Sequence, residues 1–306
     1  MTSPVLFLIF NRPDTTERVF EEIRKAQPPR LYIAADGPRA NRTGEKELCE
    51  KTRAIAQKVD WNCEVKTLFR DENLGCGRAV SQAITWFFDN EPEGIILEDD
   101  ILPHPDFFPY CDELLDRYRD NDSIGIIAGH NHMYTDLNRT TTYGFQNLPA
   151  IWGWATWRRT WNKYDFDLNF PKTLLTKRLE QIYPKQEYRN FWYIIYDKMR
   201  KKQIDTWDFQ LVLSLFVNKY INIIPYFNLT KNIGFGENST HTNMDKNNEA
   251  TIQLTAVLPL IHPDAFYLDE EAERYVISKA NWEISTLKCL FHKAKYFLIY
   301  NLKRLK

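Results

Sequence analysis

Residues 94–108, "GIILEDDILPHPDFF", contain the sequence pattern that is most informative about the fold. An apolar run typical of a buried strand ends in three consecutive acids, Glu98, Asp99 and Asp100. Like charges about 4 Å apart repel by roughly 4 kcal/mol at an effective dielectric constant of about 20. A divalent cation offsets that repulsion, and carboxylate oxygens suit Mg²⁺ or Mn²⁺. The alternative is a helix cap followed by a solvated turn.

Strand geometry predicts how the three acids divide their roles. If the strand continues through them, Glu98 and Asp100 point to one face and Asp99 to the other. One acid can then hold a metal while another reaches a sugar or ribose hydroxyl.

Outward from this stretch, strands alternate with helices over residues 1–131. Apolar runs predict strands at 4–10, 30–38, 63–71, 94–100 and 124–131. Asp14 or Thr15 is expected to cap the first helix. The alternation predicts an α/β fold with a mostly parallel sheet and helices on both faces.

Ligands of such sheets bind beyond the carboxyl ends of the strands. Four strand ends are therefore expected to meet in one cleft: "NRP" (11–13), "ADGP" (35–38), "EDD" (98–100) and "HNH" (130–132). His130 and His132 could reach this cleft, or be ordinary polar residues.

The regular alternation of predicted strands and helices does not continue after residue 150. The segment 151–165 is aromatic and irregular, and helices are predicted at 189–203 and 208–219. A strand then leads into a Gly, Asn and Ser-rich loop ending near residue 242, and residues 246–270 look less regular.

Size and composition restrict the class of protein. With 306 residues and 43% hydrophobic residues, the chain suits one large domain or a domain with an appendage. A net charge of −1 argues against nucleic-acid binding. The five cysteines are odd in number and have no CxxC spacing, which favours a reduced cytoplasmic protein without a zinc site. We expect no signal peptide and no membrane span, since "PVLFLIF" runs directly into polar residues.

The motifs together resemble a nucleotide-sugar glycosyltransferase of the GT-A fold, and are most similar to the N-acetylglucosaminyltransferase I group. That group has an EDD motif followed by xxPDFFxY, and this chain has "HPDFFPY" at 104–110. A Gly and Trp-rich segment ("IWGWATW", 151–157), a Trp-Asp pair and a loop resembling "NIGFGENSTH" (232–241) follow. The resemblance covers roughly residues 4–245.

The resemblance implies a domain organisation. It predicts a GT-A domain over 1–245, with a nucleotide-sugar-binding half at 1–131 and an aromatic, acceptor-side half at 132–245. Residues 246–306 would form a C-terminal extension with a basic amphipathic helix.

The resemblance also implies roles for residues on the donor side. Asp100 would bind Mn²⁺ or Mg²⁺, which bridges the diphosphate, and Glu98 and Asp99 would contact sugar and ribose hydroxyls. Asn11 and Arg12 would lie beside the nucleotide, Asp36 would hydrogen-bond the base, and UDP is the favoured nucleotide. His241 is the candidate for contact with the diphosphate and the metal.

The chemistry of these residues leaves plainer alternatives open. The planar fork of Arg12 suits a diphosphate or a base edge, or a surface salt bridge. Asp36 could only cap a turn. In "NLGCGR" (73–78), backbone amides before a helix could face phosphate with Arg78 nearby, or the glycines could only make a tight turn.

Inverting transfer needs a carboxylate base on the acceptor side. "DTWDF" offers Asp205 and Asp208, and Asp208 aligns best with the Trp-Asp pair of the family, although it could also only cap a helix. Trp154, with Trp152 and Trp157, could form a platform for a sugar ring or could pack in the core.

Two segments are predicted to act beyond the central cleft. The loop "FGENSTHT" (235–242) is a plausible flap, with Gly234 and Gly236 as hinges and Ser239 and His241 at the ligand. Residues 285–306 contain basic residues, no acids, and apolar residues at helical spacing. This composition suits a helix on an anionic membrane surface or a helix packed on the domain.

The sequence therefore predicts an inverting, metal-dependent glycosyltransferase. Its partners are expected to be a nucleotide-sugar donor and a glycan or lipid-linked acceptor, in bacterial surface polysaccharide or lipopolysaccharide synthesis. It is expected to be cytoplasmic and peripheral at the inner face of the plasma membrane. A sugar-nucleotide pyrophosphorylase is the first alternative, but such enzymes have a Gly-rich basic loop after strand one, where this chain has "NRPDTT". A non-catalytic nucleotide-sugar-binding protein is the second.

Overall fold

A computed structural model describes residues 1–132, 139–234 and 253–279. The amino-terminal part alternates strands and helices as its apolar runs predict. Its elements are β1 (Val5–Ile9), α1 (Pro13–Ala26), β2 (Arg30–Ala35), α2 (Glu45–Ala56), β3 (Glu64–Phe69), α3 (Cys76–Asn90), β4 (Glu93–Glu98), β5 (Ile101–Pro103), α4 (Phe107–Arg117) and β6 (Ile124–Ala128).

The remaining described part is richer in helices. Its elements are β7 (Tyr143–Gln146), β8 (Trp154–Trp157), α5 (Arg158–Trp161), α6 (Lys172–Ile182), α7 (Gln186–Arg200), α8 (Asp208–Val217), β9 (Ile221–Pro225), β10 (Thr230–Asn232) and α9 (Glu270–Lys279). Within the described ranges, no helix combines the length and the apolarity that a bilayer crossing requires.

Eight of the described strands form one sheet in the order β3-β2-β1-β4-β8-β6-β9-β7. The pairs β3–β2, β2–β1, β1–β4 and β6–β9 are parallel, whereas β8 and β7 run antiparallel to their neighbours. β5 and β10 pair separately as a short antiparallel ribbon. The predicted α/β class, with a mostly parallel sheet flanked by helices, is confirmed.

The apolar pattern of β1 explains why both faces of the sheet are covered. Val5, Phe7 and Ile9 pack on one face against α1 and α4, while Leu6 and Leu8 pack on the other face against α3 and α8. A strand buried on both faces has a continuous apolar run instead of alternation. A further apolar cluster joins α6, α7, α8 and α9.

Three local predictions are wrong, each for a physical reason. The first helix begins at Pro13, whose fixed φ suits the first helical position, and neither Asp14 nor Thr15 caps it. The segment 154–157, predicted irregular, is a fully buried strand held between β4 and β6. β4 ends at Glu98, so the strand alternation does not continue through Asp99 and Asp100.

Candidate active site

The three acids lie at the carboxyl end of β4, where the chain turns into β5. The backbone of Glu98 still pairs with Leu8 of β1. Asp99 turns inward, is 8% exposed, and its Oδ2 accepts a hydrogen bond from the Phe10 amide at 2.9 Å. Asp100 Oδ2 accepts one from Arg12 Nη1 at 2.6 Å. Two of the predicted strand ends, 11–13 and 98–100, therefore meet through Arg12 and Asp100.

The acidic turn, residues 98–100, brings three carboxyl groups together with Arg12 as their near cation. Burial, followed by the charges of Asp100, Asp99 and Asp208, raises the pKa of Glu98 well above its usual range. Burial and then the charge of Asp100 raise the pKa of Asp99 to about 7, against the opposing effects of Arg12 and the Phe10 amide. Such a cluster favours a bound cation.

The β5–β10 ribbon brings a second chain segment onto the Arg12–Asp100 pair. The Ile233 amide donates to the carbonyl of Asp100 at 2.7 Å, and Gly234 follows directly. A Cβ on Gly234 would overlap Asp100 Oδ2 and lie 2.7 Å from Arg12 Nη1. Gly234 is thus required for close approach. Gly236, Ser239 and His241, predicted for the flap and the ligand, lie outside the described residues.

Asn11 lies next to this pair but is held by another acid. Its Nδ2 donates to Glu45 Oε1 at 3.0 Å, and Glu45 also forms an ion pair with Arg39. Glu45 is buried, and the sequence analysis missed it because its contact with Asn11, 34 positions away, forms only on folding. The predicted contact of Asn11 with a nucleotide stays a prediction.

Asp36 is directed into the protein. Its carboxylate accepts hydrogen bonds from the Gly37 amide at 3.0 Å, the Leu74 amide at 3.0 Å and Asn73 Nδ2 at 2.9 Å. Burial raises the pKa of Asp36 despite these donors. The turn-capping alternative accounts for this geometry. The proposed contact with a base has no support from the orientation of the side chain.

The glycine-rich turn does not present its amides to the cleft as an empty anion site. The Cys76 amide donates to Asp205 Oδ2 at 3.1 Å and the Gly77 amide to Asp205 Oδ1 at 3.0 Å. Gly75 has a φ of 80°, which favours glycine. A carboxylate of the chain occupies the amino-terminal end of α3, which agrees with the tight-turn alternative and gives no support to phosphate binding by these amides.

Asp208 is the first residue of α8 and presents one free carboxylate oxygen. Its Oδ1 accepts hydrogen bonds from Thr206 Oγ1 at 2.5 Å and from the Phe209 amide at 2.7 Å. No donor of the described residues hydrogen-bonds Oδ2. The arrangement combines helix capping with a fixed orientation of the second oxygen.

Cys76 connects the two groups of acids. Burial and then the charges of Glu98, Asp208, Asp205 and Asp36 raise the pKa of its thiol to about 12. Glu98 and Asp208 therefore both lie near the half-buried thiol of Cys76. No local pattern predicts that Cys76 lies among these acids, since its neighbours belong to strands and helices far apart in the chain.

The tryptophans of 151–157 mostly pack in the core. Trp154 is 1% exposed and stacks on Trp207, with ring centroids 5.9 Å apart and planes inclined by 19°. The core-packing alternative accounts for this position, and the burial of Trp154 gives no support to its predicted ligand contact. Trp157 is also buried, whereas Trp152 is partly buried and packs against His130.

The remaining predicted residues lie at the edges of this region. Arg78 is exposed on α3 and lies over the ring of Phe166, 5.2 Å from its centroid. It does not contact the acidic turn. Burial lowers the pKa of His130 well below its usual range and that of His132 to about 4, so both rings are neutral.

The acidic turn offers one or two carboxylates as ligands for a divalent cation, and no larger ligand set. Among the described residues, no group of three or more His, Cys, Asp or Glu side chains is arranged to hold a metal. Mg²⁺ sites, however, commonly use one or two carboxylates together with waters and substrate phosphates. Residues 98–100 provide carboxylates of that kind, with Arg12 as the near cation.

Comparison with known proteins gives only weak likenesses. The sequence matches no protein-family model and no curated protein. Among solved structures, S. aureus TarS 1-349 is 9% identical over 75% of this chain and 59% of its own, with a TM-score of 0.40. HddC from Yersinia pseudotuberculosis is 13% identical over 41% of this chain and 56% of its own, with a TM-score of 0.28.

A third solved structure, a UDP-glucose pyrophosphorylase complexed with UDP-glucose, is 13% identical over 48% of this chain and 63% of its own, with a TM-score of 0.27. The chain thus spans less than two thirds of each of these structures. Likenesses this weak carry no argument about activity, which has to rest on the residues of the site.

Proposed function

We propose that the protein is an inverting, metal-dependent glycosyltransferase. It would move a sugar from a nucleotide sugar, with UDP as the expected nucleotide, to a hydroxyl of a glycan or lipid-linked acceptor in bacterial surface polysaccharide synthesis. The observation that carries the proposal is that Asp208 lies near Glu98 of the acidic turn and near Cys76, since its charge raises the pKa of both groups. The resemblance of the "EDD" and "HPDFFPY" motifs supports the same class.

In the proposed reaction, Asp208 is the base. Its Oδ1 is held by Thr206 and the Phe209 amide, so Oδ2 is directed for proton abstraction. The acceptor O–H bond breaks and its proton goes to Oδ2 while the acceptor oxygen forms a bond to the anomeric carbon. The bond from that carbon to the diphosphate breaks at the same time, and its electron pair leaves with the nucleoside diphosphate.

The acidic turn is proposed to hold the donor. Asp100 would be the protein ligand of Mn²⁺ or Mg²⁺, with His241 as a second candidate, and the ion would supply charge stabilisation for a departing diphosphate. Arg12, which already contacts Asp100, is placed for the diphosphate as well. Glu98 and Asp99 are proposed for sugar and ribose hydroxyls.

A donor panel with one variant tests the proposal. Nucleotide release is measured from UDP-, GDP- and dTDP-sugars with Mn²⁺ and with EDTA, alongside donor binding by calorimetry. Asp208→Asn should keep donor affinity within about twofold and lose about 10²–10⁴-fold in turnover, the usual contribution of a general base. Asp106→Asn is the matched control, because Asp106 also begins a helix and accepts a backbone hydrogen bond, from Val257 at 2.8 Å.

Each competing class gives a different result in this panel. A pyrophosphorylase would form a nucleoside triphosphate when inorganic pyrophosphate is added. A binding protein would bind donor and show the same behaviour with and without Asp208. Release that is independent of metal for every donor would refute the proposed mechanism.

A further inference from the structure

We infer that Asp205 is a positioning residue for Asp208, and that the glycine-rich turn 73–77 is shaped to receive its carboxylate. The inference rests on the proposed function, because it assigns Asp205 the task of holding the base in place. It gives the turn a role other than phosphate binding.

The carboxylate of Asp205 accepts hydrogen bonds from two successive backbone amides at the start of α3. Oδ2 accepts from Cys76 at 3.1 Å and Oδ1 from Gly77 at 3.0 Å, across 128 or more positions of sequence. The amino-terminal end of a helix carries unpaired amides and a partial positive charge, both of which favour a carboxylate. The contact therefore ties the segment before α8 to the helix that lines the site.

Both glycines of the turn are explained by this contact. A Cβ on Gly75 would lie 2.5 Å from Asp205 Oδ2. A Cβ on Gly77 would lie 2.8 Å from Asp205 Oδ1 and 2.7 Å from the carbonyl oxygen of Thr206. Any larger residue at these two positions would push residues 205 and 206 away from α3.

The two residues between Asp205 and Asp208 are themselves held in place, so they link the position of Asp208 to that of Asp205. The Thr206 hydroxyl donates to Asp208 Oδ1 at 2.5 Å, and Trp207 is 3% exposed and stacked on Trp154. Tyr164 Oη donates to the Trp207 carbonyl at 3.2 Å. With both ends of this four-residue segment anchored, the free oxygen of Asp208 has little freedom to move relative to Cys76 and Glu98.

Asp205→Asn is the direct test. The amide side chain keeps the shape but turns an NH₂ group towards one backbone N–H, so one of the two hydrogen bonds is lost. A displacement of the base of about 1 Å costs about 10²-fold in turnover. We expect kcat, normalised to donor-binding sites, to fall by about 10- to 100-fold, with donor affinity and donor KM within about twofold.

Asp112→Asn is a matched control, because it also changes a carboxylate that accepts hydrogen bonds from two successive backbone amides. Asp112 also binds two successive amides, Thr2 at 2.8 Å and Ser3 at 2.9 Å, away from the proposed base. This variant should keep wild-type kcat per donor-binding site even where its thermal stability falls.

Gly77→Ala provides an independent route to the same displacement. It should lower kcat as Asp205→Asn does, and the double variant should lose no more than about twofold beyond the larger single effect, because both changes break one contact. The rate of hydrogen exchange at the Cys76 and Gly77 amides reports on their hydrogen bonds to Asp205 without any measurement of activity. Both should be protected in the wild type and exchange faster in Asp205→Asn.

The outcomes separate this inference from the proposed function. An Asp205→Asn protein with wild-type kcat, with additive losses in the double variant, or with unchanged amide protection overturns the positioning role. If instead Asp208→Asn keeps full turnover, the proposed base is wrong. In that case the exchange experiment still decides whether Asp205 holds the turn.

Discussion

Cys76 is the side chain through which the charge of the site can be measured. Its thiol lies among acids from three parts of the chain, and burial together with those acids raises its pKa to about 12. Because the thiolate is the reactive form, alkylation by iodoacetamide at pH 8 should be about 10³-fold slower than for an unperturbed cysteine. The rate should keep rising about tenfold per pH unit beyond pH 10, since a raised pKa delays ionisation.

Removing one of the acids should make the thiol more reactive. Asp208→Asn takes away a negative charge and should lower the pKa of Cys76, which would speed its alkylation at pH 8. Cys63 is the internal control, because burial also raises its pKa but Asp208 is not among its charged neighbours. Mass spectrometry of the two cysteine peptides follows both rates. A plateau for Cys76 near pH 9 would contradict the proposed environment.

For single residues, the sequence is better at indicating which residues are candidates for the site than at indicating what each of them does. The acids 98–100 and Asp208 can be chosen as candidates from the sequence because each follows or opens an element with a strong local pattern, and their roles stay predictions. The burial of Asp36 and Trp154 could not be predicted in this way. It depends on partners such as Leu74 and Trp207, which only folding brings close to them. Local sequence contains no information on those contacts.

Among the elements, β10 has the clearest functional consequence. It pairs with β5 so that Asn232 opposes Ile101, which brings Gly234 directly onto the Arg12–Asp100 pair. Gly234→Ala should separate the guanidinium from the carboxylate, because the added methyl group has no space between them. We expect donor affinity in the presence of Mn²⁺ to fall by about tenfold or more, measured by calorimetry, for a loss of about 1–3 kcal/mol from overpacking.

A second glycine distinguishes a site effect from a stability effect. Gly144→Ala is equally overpacked, since a Cβ there would overlap the Tyr226 hydroxyl, but Gly144 lies in β7 at the far edge of the sheet. It should lower the thermal midpoint and leave donor affinity unchanged. Equal donor affinities in Gly234→Ala and the wild type would show that β10 does not shape the donor site.

Elements with continuous apolar runs were predicted with nearly correct ends, and elements without such a pattern were not. β1 and β2 are buried on both faces, so hydrophobicity alone marks them. β8 has the sequence WATW, in which two tryptophans flank small residues and resemble an aromatic loop. It becomes a strand because β4 and β6 supply hydrogen-bond partners on both sides.

For the molecule as a whole, the site is assembled from segments that are remote in sequence. Arg12 and Asp100 are 88 positions apart, and Asp205 and Gly77 are 128 apart. The parallel order β2-β1-β4 places the ends of these strands at one edge of the sheet, which is why the first two segments could be predicted to meet. The positions of α8 and β10 next to this edge of the sheet depend on how the later helices pack. No rule comparable to the one for parallel strands predicts that packing from sequence.

That assembly predicts how ligands should stabilise the folded protein. Metal and nucleoside diphosphate share the acidic turn and Arg12 in the proposed complex, so each should bind weakly alone and tightly together. A ligand present at 100 times its dissociation constant stabilises the folded state by about 2.7 kcal/mol. UDP with Mn²⁺ should therefore raise the thermal midpoint by on the order of 5 °C, while either alone should change it little. Differential scanning fluorimetry measures this shift, and excess EDTA should abolish it.

The same experiment on variants locates the shared site. Asp100→Asn should remove the joint effect of UDP and Mn²⁺, because it takes away the proposed metal ligand and the partner of Arg12. Asp116→Asn, which changes an exposed acid on α4, should retain it. Additive shifts from UDP and Mn²⁺, or a full joint shift in Asp100→Asn, would show that the acidic turn does not hold a metal-bound diphosphate. The charge gathered at residues 98–100 would then need another counterion.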